Sequence, residues 1–267
     1  MQYIGAIIGD YAGSKYEWNN FRDEDINNMD LLSTGKFTDD SVLTVAIMDW
    51  INHGCGALGD GAVSHYLRKW AKKYPDAGYG GRFRRWVESD SDEPINSFGN
   101  GSGMRVSPCA YYANTLEECL DLAKKSAEAT HNHPEGVKGA QAVAEAIYLA
   151  RSGAGKDGIR KVLEEDFGYD LGLNLDQIGR RAHRFDATCQ VTVPEAIICF
   201  LNSRDFLDAI RLGIWIGGDS DTIAAIAGSI AEAYYGVPYF IEEQIKEKLP
   251  EDFREVIYKF NENMLRR

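Results

Sequence analysis

The sequence predicts an all-α fold in a single compact domain spanning residues 1–267. Three observations carry that expectation. Apolar residues recur at helical spacing through most of the chain, and the runs begin and end at residues that cap or stop helices. Strand-like alternation is scarce, and no repeat with a period of roughly 20–50 residues is present. The polar, glycine-rich stretches at 75–82, 89–108 and 216–222 fall between the apolar runs, where sites are usually built.

Each element follows from local chemistry. Gly5, Gly9 and Gly13 recur every four residues, with Ala6 and Ala12 beside that face, so a helix there can pack very close to its neighbours. Asp10 lies inside this small-residue segment, and a buried acid needs a partner. "SVLTVAIMDWIN" (41–52) is apolar and uninterrupted, with Asp40 or Ser41 available as its cap. Thr115 and Glu118 stand in capping-box spacing at the start of a helix over 115–131. Pro134 suits the first turn of a helix that runs to the glycine at 153. "VPEAIICFLNS" and "RDFLDAIRLGIWIGG" repeat that grammar, and 241–265 is amphipathic and charged.

Composition narrows the function classes. Hydrophobic residues make up 44%, enough for one sizeable core, and the net charge of −12 argues against nucleic acid as the main partner. The five cysteines are odd in number and form no CxxC pair, which fits reduced thiols in the cytoplasm. The first residues carry no basic segment ahead of Asp10, so a signal peptide is not expected. No apolar run approaches the length of a membrane span, so no membrane partner is expected.

Two stretches carry the chemistry. "FTDDSV" (37–42) sets Asp39 beside Asp40 where a helix should begin, and "GGDSDT" (217–222) repeats the pattern with Asp219, Asp221 and Thr222. Capping accounts for one acid of a pair and leaves the other repelled by it. Asp219 and Asp221 are two apart, so a turn can point both inward, and Gly217 and Gly218 allow positive φ there. With Thr38 and Thr222 the set offers only oxygen donors, which suits Mg²⁺ or Mn²⁺ and not zinc. The four carboxylates sum to −4 and match two divalent cations, roughly 3.5–4 Å apart in two-metal sites, able to hold a sugar diol and activate a water. The like charges are tolerated because cations sit between them.

Five segments together resemble the ADP-ribosylglycohydrolase family: "GDYAGSKYE" (9–17), "FTDDS" (37–41), "FGNGSGMRVSP" (98–108), "THNHPEGVKGA" (130–140) and "GGDSDTIAAIAG" (217–228). The resemblance implies a roughly orthogonal multi-helix bundle with a dinuclear Mg²⁺ or Mn²⁺ centre in a central cleft. It assigns Thr38, Asp39, Asp40, Asp219, Asp221 and Thr222 to the metals, with Asp10 orienting that shell or reaching the substrate. Glu17 would act as general acid/base or as a gate over the ribose, with Asp40 the other catalytic candidate.

For the ADP-ribose half the resemblance points to Gly80 and Gly81 of "GYGGRFRRW" as a diphosphate cradle. Phe98 would stack on adenine, and Asn100, Gly101, Ser102, Gly103 and Met104 would line the same loop. His131 would sit near the diphosphate or ribose. Arg82, Arg84 and Arg85 could add charge, although an exposed helix face suits at least two of them, and Arg105 is expected in a buried ion pair. His131 and His133 lack the cysteine cluster of a zinc site, and His53, His65 and His183 have no expected role.

The expected activity is metal-dependent hydrolysis of the bond between ADP-ribose and an acceptor, most readily an arginine of an ADP-ribosylated protein. A catalytically inactive relative that binds ADP-ribose or serves structurally, and an enzyme acting on another nucleotide or phosphoester, are the alternatives.

Overall fold

The computed structural model describes residues 1–18, 21, 25–56, 59–89, 91–181 and 185–266; His183 lies outside them. The fold is all-α. In chain order the helices are α1 (Gly5–Gly13), α2 (Asp39–Asn52), α3 (Val63–Lys73), α4 (Gly81–Glu88), α5 (Gly101–Met104), α6 (Ser107–Tyr112), α7 (Leu116–Glu128) and α8 (Pro134–Arg151). They continue with α9 (Lys156–Phe167), α10 (Leu175–Arg181), α11 (Cys189–Asn202), α12 (Phe206–Trp215), α13 (Ser220–Tyr235), α14 (Tyr239–Lys248) and α15 (Glu251–Leu265). Among the described residues, the strand-type pairing is a single antiparallel bridge between Gly99 and Thr188.

Several helix ends match local chemistry. Thr115 Oγ1 accepts from the Glu118 amide at 3.1 Å, capping α7. Pro134 opens α8. Two boundaries differ from the sequence expectation. α2 starts at Asp39, with Thr38 as its cap, because carboxylate oxygens from another helix satisfy its first amides. The segment 241–265 is divided between α14 and α15, since Pro250 disfavours helical geometry at Leu249 before it.

The core is one continuous apolar cluster reaching from Ile4 on the first segment to Phe260 on α15, with Trp50, Phe200, Phe206 and Phe253 among its largest fully buried side chains. Its central contact is α1 against α13, the most extensive helix pair in the molecule. A methyl group at Gly9 would overlap the Ala224 backbone, one at Gly5 the Gly228 carbonyl, and one at Gly13 would lie 2.5 Å from the Ser220 carbonyl. The glycines therefore set the separation of the two helices. Glu232, near the end of α13, fixes the start of α1 by accepting from the Tyr3 and Gly5 amides, each at 2.6 Å. Among the described residues, no helix is long and apolar enough to cross a membrane.

This contact makes opposite predictions for two glycines. Gly9→Ala must push α1 from α13 and is expected to destabilise by about 3 kcal/mol. Gly158 lies in α9 with open space around it, so Gly158→Ala should stabilise by about 0.5–1 kcal/mol. Urea denaturation midpoints at constant slope check both.

Candidate active site

Two helix starts meet at one cleft, and α1 stands behind them. α1 supplies Asp10 at its buried face, α2 brings Thr38, Asp39 and Asp40 at its start, and α13 brings Asp219, Asp221 and Thr222 at its start. Gly217 and Gly218 both have φ of 78°, a left-handed conformation open to glycine without strain, and this turns the chain so that Asp219 and Asp221 enter the cleft.

Asp10 ties α1 to α2. Its carboxylate accepts from the Thr38 amide at 2.8 Å, the Thr38 hydroxyl at 2.6 Å, the Ser41 amide at 3.1 Å and the Ser41 hydroxyl. An anion at a helix start satisfies amides that have no partner within the helix. Asp10 is fully buried and does not line the cleft. The expectation that it reaches substrate is therefore corrected: it stands behind the acidic shell and positions α2.

The shell itself is tight. Carboxylate oxygens of Asp10, Asp40 and Asp221 lie within 4.8 Å of one another, as do those of Glu17, Asp219 and Asp221. Thr222 Oγ1 donates to Asp40 Oδ2 at 3.2 Å, and Asn100 Nδ2 donates to Asp219 Oδ2 at 2.6 Å. Asp40 Oδ1 is buried with no hydrogen-bond partner among the described residues. Burial, and then the neighbouring Asp221 carboxylate, push Asp39 up to about 8 and Asp10 to about 7. The same causes hold Asp40 and Asp219 well above the ordinary carboxylate range. Glu17 is pushed up to about 7, chiefly by burial.

Clustered acids with an orphaned oxygen and only oxygen donors fit divalent cations. Two overlapping groups that share Asp221 give room for more than one ion. The groups draw on Asp10 and Asp40 on one side and Glu17 and Asp219 on the other; Asp39 belongs to neither, although it lines the same cleft with Thr38 and Thr222.

The cleft beyond these acids has a volume of about 480 Å³. Gly80, Gly81 and Arg82 line one wall at the start of α4, where the first amides have no acceptor within the helix. Arg82, Arg84 and Arg85 are all exposed, and Arg82 also donates to the Ile95 carbonyl. Asn100, Gly101, Met104 and His131 line the opposite wall.

Three expected contacts do not face the cleft. α5 is one turn long, so Gly101 and Met104 share a face while Ser102 and Gly103 point into the core. The Ser102 hydroxyl donates to the Gly136 carbonyl at 2.7 Å, and a methyl at Gly103 would lie 3.3 Å from Val193. Phe98 is also turned away. The Gly99–Thr188 bridge makes this segment strand-like, so neighbours alternate in direction, and the Phe98 ring rests 5.2 Å from that of His133.

Aromatic surface comes from residues the sequence did not mark. Trp18 and Phe185 both line the cleft, stacked with ring centroids 4.8 Å apart and planes 16° from parallel. They are far apart in sequence, and no motif joins them. Arg105, expected in an ion pair, is fully buried and has no carboxylate partner among the described residues; Nη2 donates to the Ser126 carbonyl and the Thr130 hydroxyl.

The acids' raised pKa values predict how the metal-free protein responds to pH. Asp39 and Asp10 titrate higher folded than unfolded, so their contribution to stability is complete below about pH 4 and is lost as pH rises through about 7 to 8. Adding Mg²⁺ should reverse that loss. Thermal melts in EDTA and in Mg²⁺, across this range, would check it, and Asp40→Ala should abolish most of the Mg²⁺ effect.

Comparison with known proteins gives a consistent result. The sequence profile described as ADP-ribosylglycohydrolase matches residues 3–267. ADP-ribosylhydrolase ARH3 of Bos taurus is 27% identical over 87% of this chain and 83% of its own length. ADP-ribosylarginine hydrolase Tri1 of Pseudomonas putida (strain GB-1) is 26% identical over 88% of this chain and 69% of its own. A solved structure titled "ADP-ribosylglycohydrolase-related protein complex" superimposes with a TM-score of 0.70 at 21% identity, covering 97% of this chain and 94% of that one, a likeness of fold.

Proposed function

From the premise that this chain belongs to the ADP-ribosylglycohydrolase family, we propose that it hydrolyses the glycosidic bond joining ADP-ribose to an acceptor, with arginine of an ADP-ribosylated protein the favoured acceptor. The observation that carries this reading is Asp40 Oδ1, buried and without a partner in an oxygen-only cluster that opens on a cleft of about 480 Å³. The arginine-directed relative Tri1 supports the choice of acceptor.

Two divalent ions, Mg²⁺ or Mn²⁺, held by Asp39, Asp40, Asp219 and Asp221 with Thr38 and Thr222, would supply positive charge to orient the ribose hydroxyls and polarise the reacting centre. The chain's own residues prepare that centre. Asn100 holds Asp219 in one orientation, and Thr222 does the same for Asp40. Asp10 fixes the start of α2 so that Asp39 and Asp40 cannot drift.

Glu17, half-buried at the cleft edge, is the proposed proton carrier. With its pKa raised to about 7 it can hold or release a proton near neutrality. Water adds its oxygen to the ribose C1″ as the C1″–N bond breaks. Glu17 takes the water's proton and returns one to the leaving nitrogen. Asp40 is the other candidate for this role, but its deeper burial suits a metal ligand better.

The α4 start, with Gly80 and Gly81, and the Gly101–Met104 face would receive the diphosphate and adenosine portions, with His131 beside them. The Trp18–Phe185 pair replaces Phe98 as the aromatic surface of the cleft. A reducing compartment such as the cytoplasm accompanies this reading, since no disulfide joins the five cysteines. Residues 1–267 would act as one unit around the continuous core.

The deciding experiment is release of free ADP-ribose from arginine- and serine-ADP-ribosylated peptides with Mg²⁺, Mn²⁺ or EDTA. Release is expected from the arginine peptide, to stop in EDTA and to fall at least ~100-fold in Asp40→Ala. Release independent of metal would refute the mechanism, and binding of ADP-ribose without release from either peptide would move the acceptor elsewhere. Glu17→Gln should lower kcat by roughly 100-fold or more while the protein still binds Mg²⁺.

A further inference from the structure

His131 sits at the cleft wall with one ring nitrogen on each side of a boundary. Its Nδ1 lies 2.7 Å from the Thr130 hydroxyl, which in turn lies 3.0 Å from Arg105 Nη2. Its Nε2 lies beside the cleft-lining glycines: a methyl at Gly101 would meet it at 3.1 Å and one at Gly99 at 3.7 Å. Among the described residues Nε2 makes no hydrogen bond.

The order of donors follows from elementary bookkeeping. A guanidinium only donates, so Thr130 Oγ1 accepts from Arg105 and is left with one hydroxyl proton to place. Thr130 is fully buried, and the hydrogen bonds its hydroxyl makes among the described residues are those with Arg105 and His131. If Nδ1 carried the ring proton, two donors would converge on Oγ1 and the hydroxyl proton would be stranded, at a cost typical of an unmade buried hydrogen bond. The hydroxyl therefore donates to Nδ1.

We propose that Arg105 and Thr130 are positioning residues that lock neutral His131 in the tautomer whose Nε2–H points into the cleft, where it donates to an anionic phosphate oxygen of the bound ligand. The choice of ligand rests on the ADP-ribose reading above; the tautomer does not. A neutral ring here agrees with its surroundings, because burial and then Arg105 and Arg82 hold the imidazole well below its ordinary pKa. It also explains why Arg105 is buried without a carboxylate. Nη2 donates to the hydroxyl that orients the ring, while Nε and Nη1 have no hydrogen-bond partner among the described residues.

The test is a long-range ¹H–¹⁵N correlation spectrum of ¹⁵N-histidine-labelled, Mg²⁺-loaded protein without nucleotide, with His131 assigned by its loss in His131→Gln. At roughly pH 7 the expected pattern is a protonated Nε2 and a bare Nδ1. A protonated Nδ1, or an imidazolium, overturns the proposal. Thr130→Val should mix the tautomers and weaken ADP-ribose binding by titration calorimetry about ten-fold, and Thr130→Ser should restore both. Unchanged tautomer and affinity in Thr130→Val would also overturn it. If wild-type protein shows the expected tautomer but does not bind ADP-ribose, the functional reading fails and the relay stands.

Discussion

The close approach of α1 and α13 is the constraint on which the rest of the molecule depends. Three glycines on α1 let two backbones meet without intervening side chains, and Glu232 clamps the beginning of α1 to the end of α13. Asp10 on that helix then organises the start of α2. The acids of α2 and α13 are thus placed by the α1–α13 contact, the Asp10 carboxylate and the Gly217–Gly218 turn, so their spacing inherits the rigidity of the core.

That rigidity opposes the electrostatics. Desolvation raises the pKa of the buried acids, and the like charges beside them add to the effect. A flexible site would relax by separating the carboxylates or exposing them to water. Here the helix contacts prevent either response, and the cluster keeps its affinity for positive charge as a consequence of packing. Such concentration of unfavourable groups is the usual mark of a site kept for chemistry.

Much of this was legible in the sequence because the information is local. Paired acids before an apolar run, a capping box at Thr115 and glycines before Asp219 each act within a few residues. The break between α14 and α15 was not, because the amphipathic pattern of 241–265 runs across it and Pro250 alone marks it. The start of α2 was not, since its cap is completed by Asp10 across the fold. Phe98 faces away because of a bridge to Thr188, and the Trp18–Phe185 stack joins residues far apart in the sequence. Arg105 resembled an ion-pair residue by type, while its partners are a carbonyl and a hydroxyl that no spacing rule reveals.

The single turn of α5 divides four consecutive residues between two surroundings. Gly101 and Met104 face the ligand space, whereas Ser102 and Gly103 are enclosed by α8, α11 and α13. In evolutionary terms these are two different kinds of position. A lineage could alter Gly101 and with it the shape of the cleft, whereas Met104 both lines the cleft and is buried in the core, so a change there would be felt by both. Changes to the second pair would be screened by folding before any substrate was met. The boundary between inherited architecture and heritable specificity here runs through one helical turn.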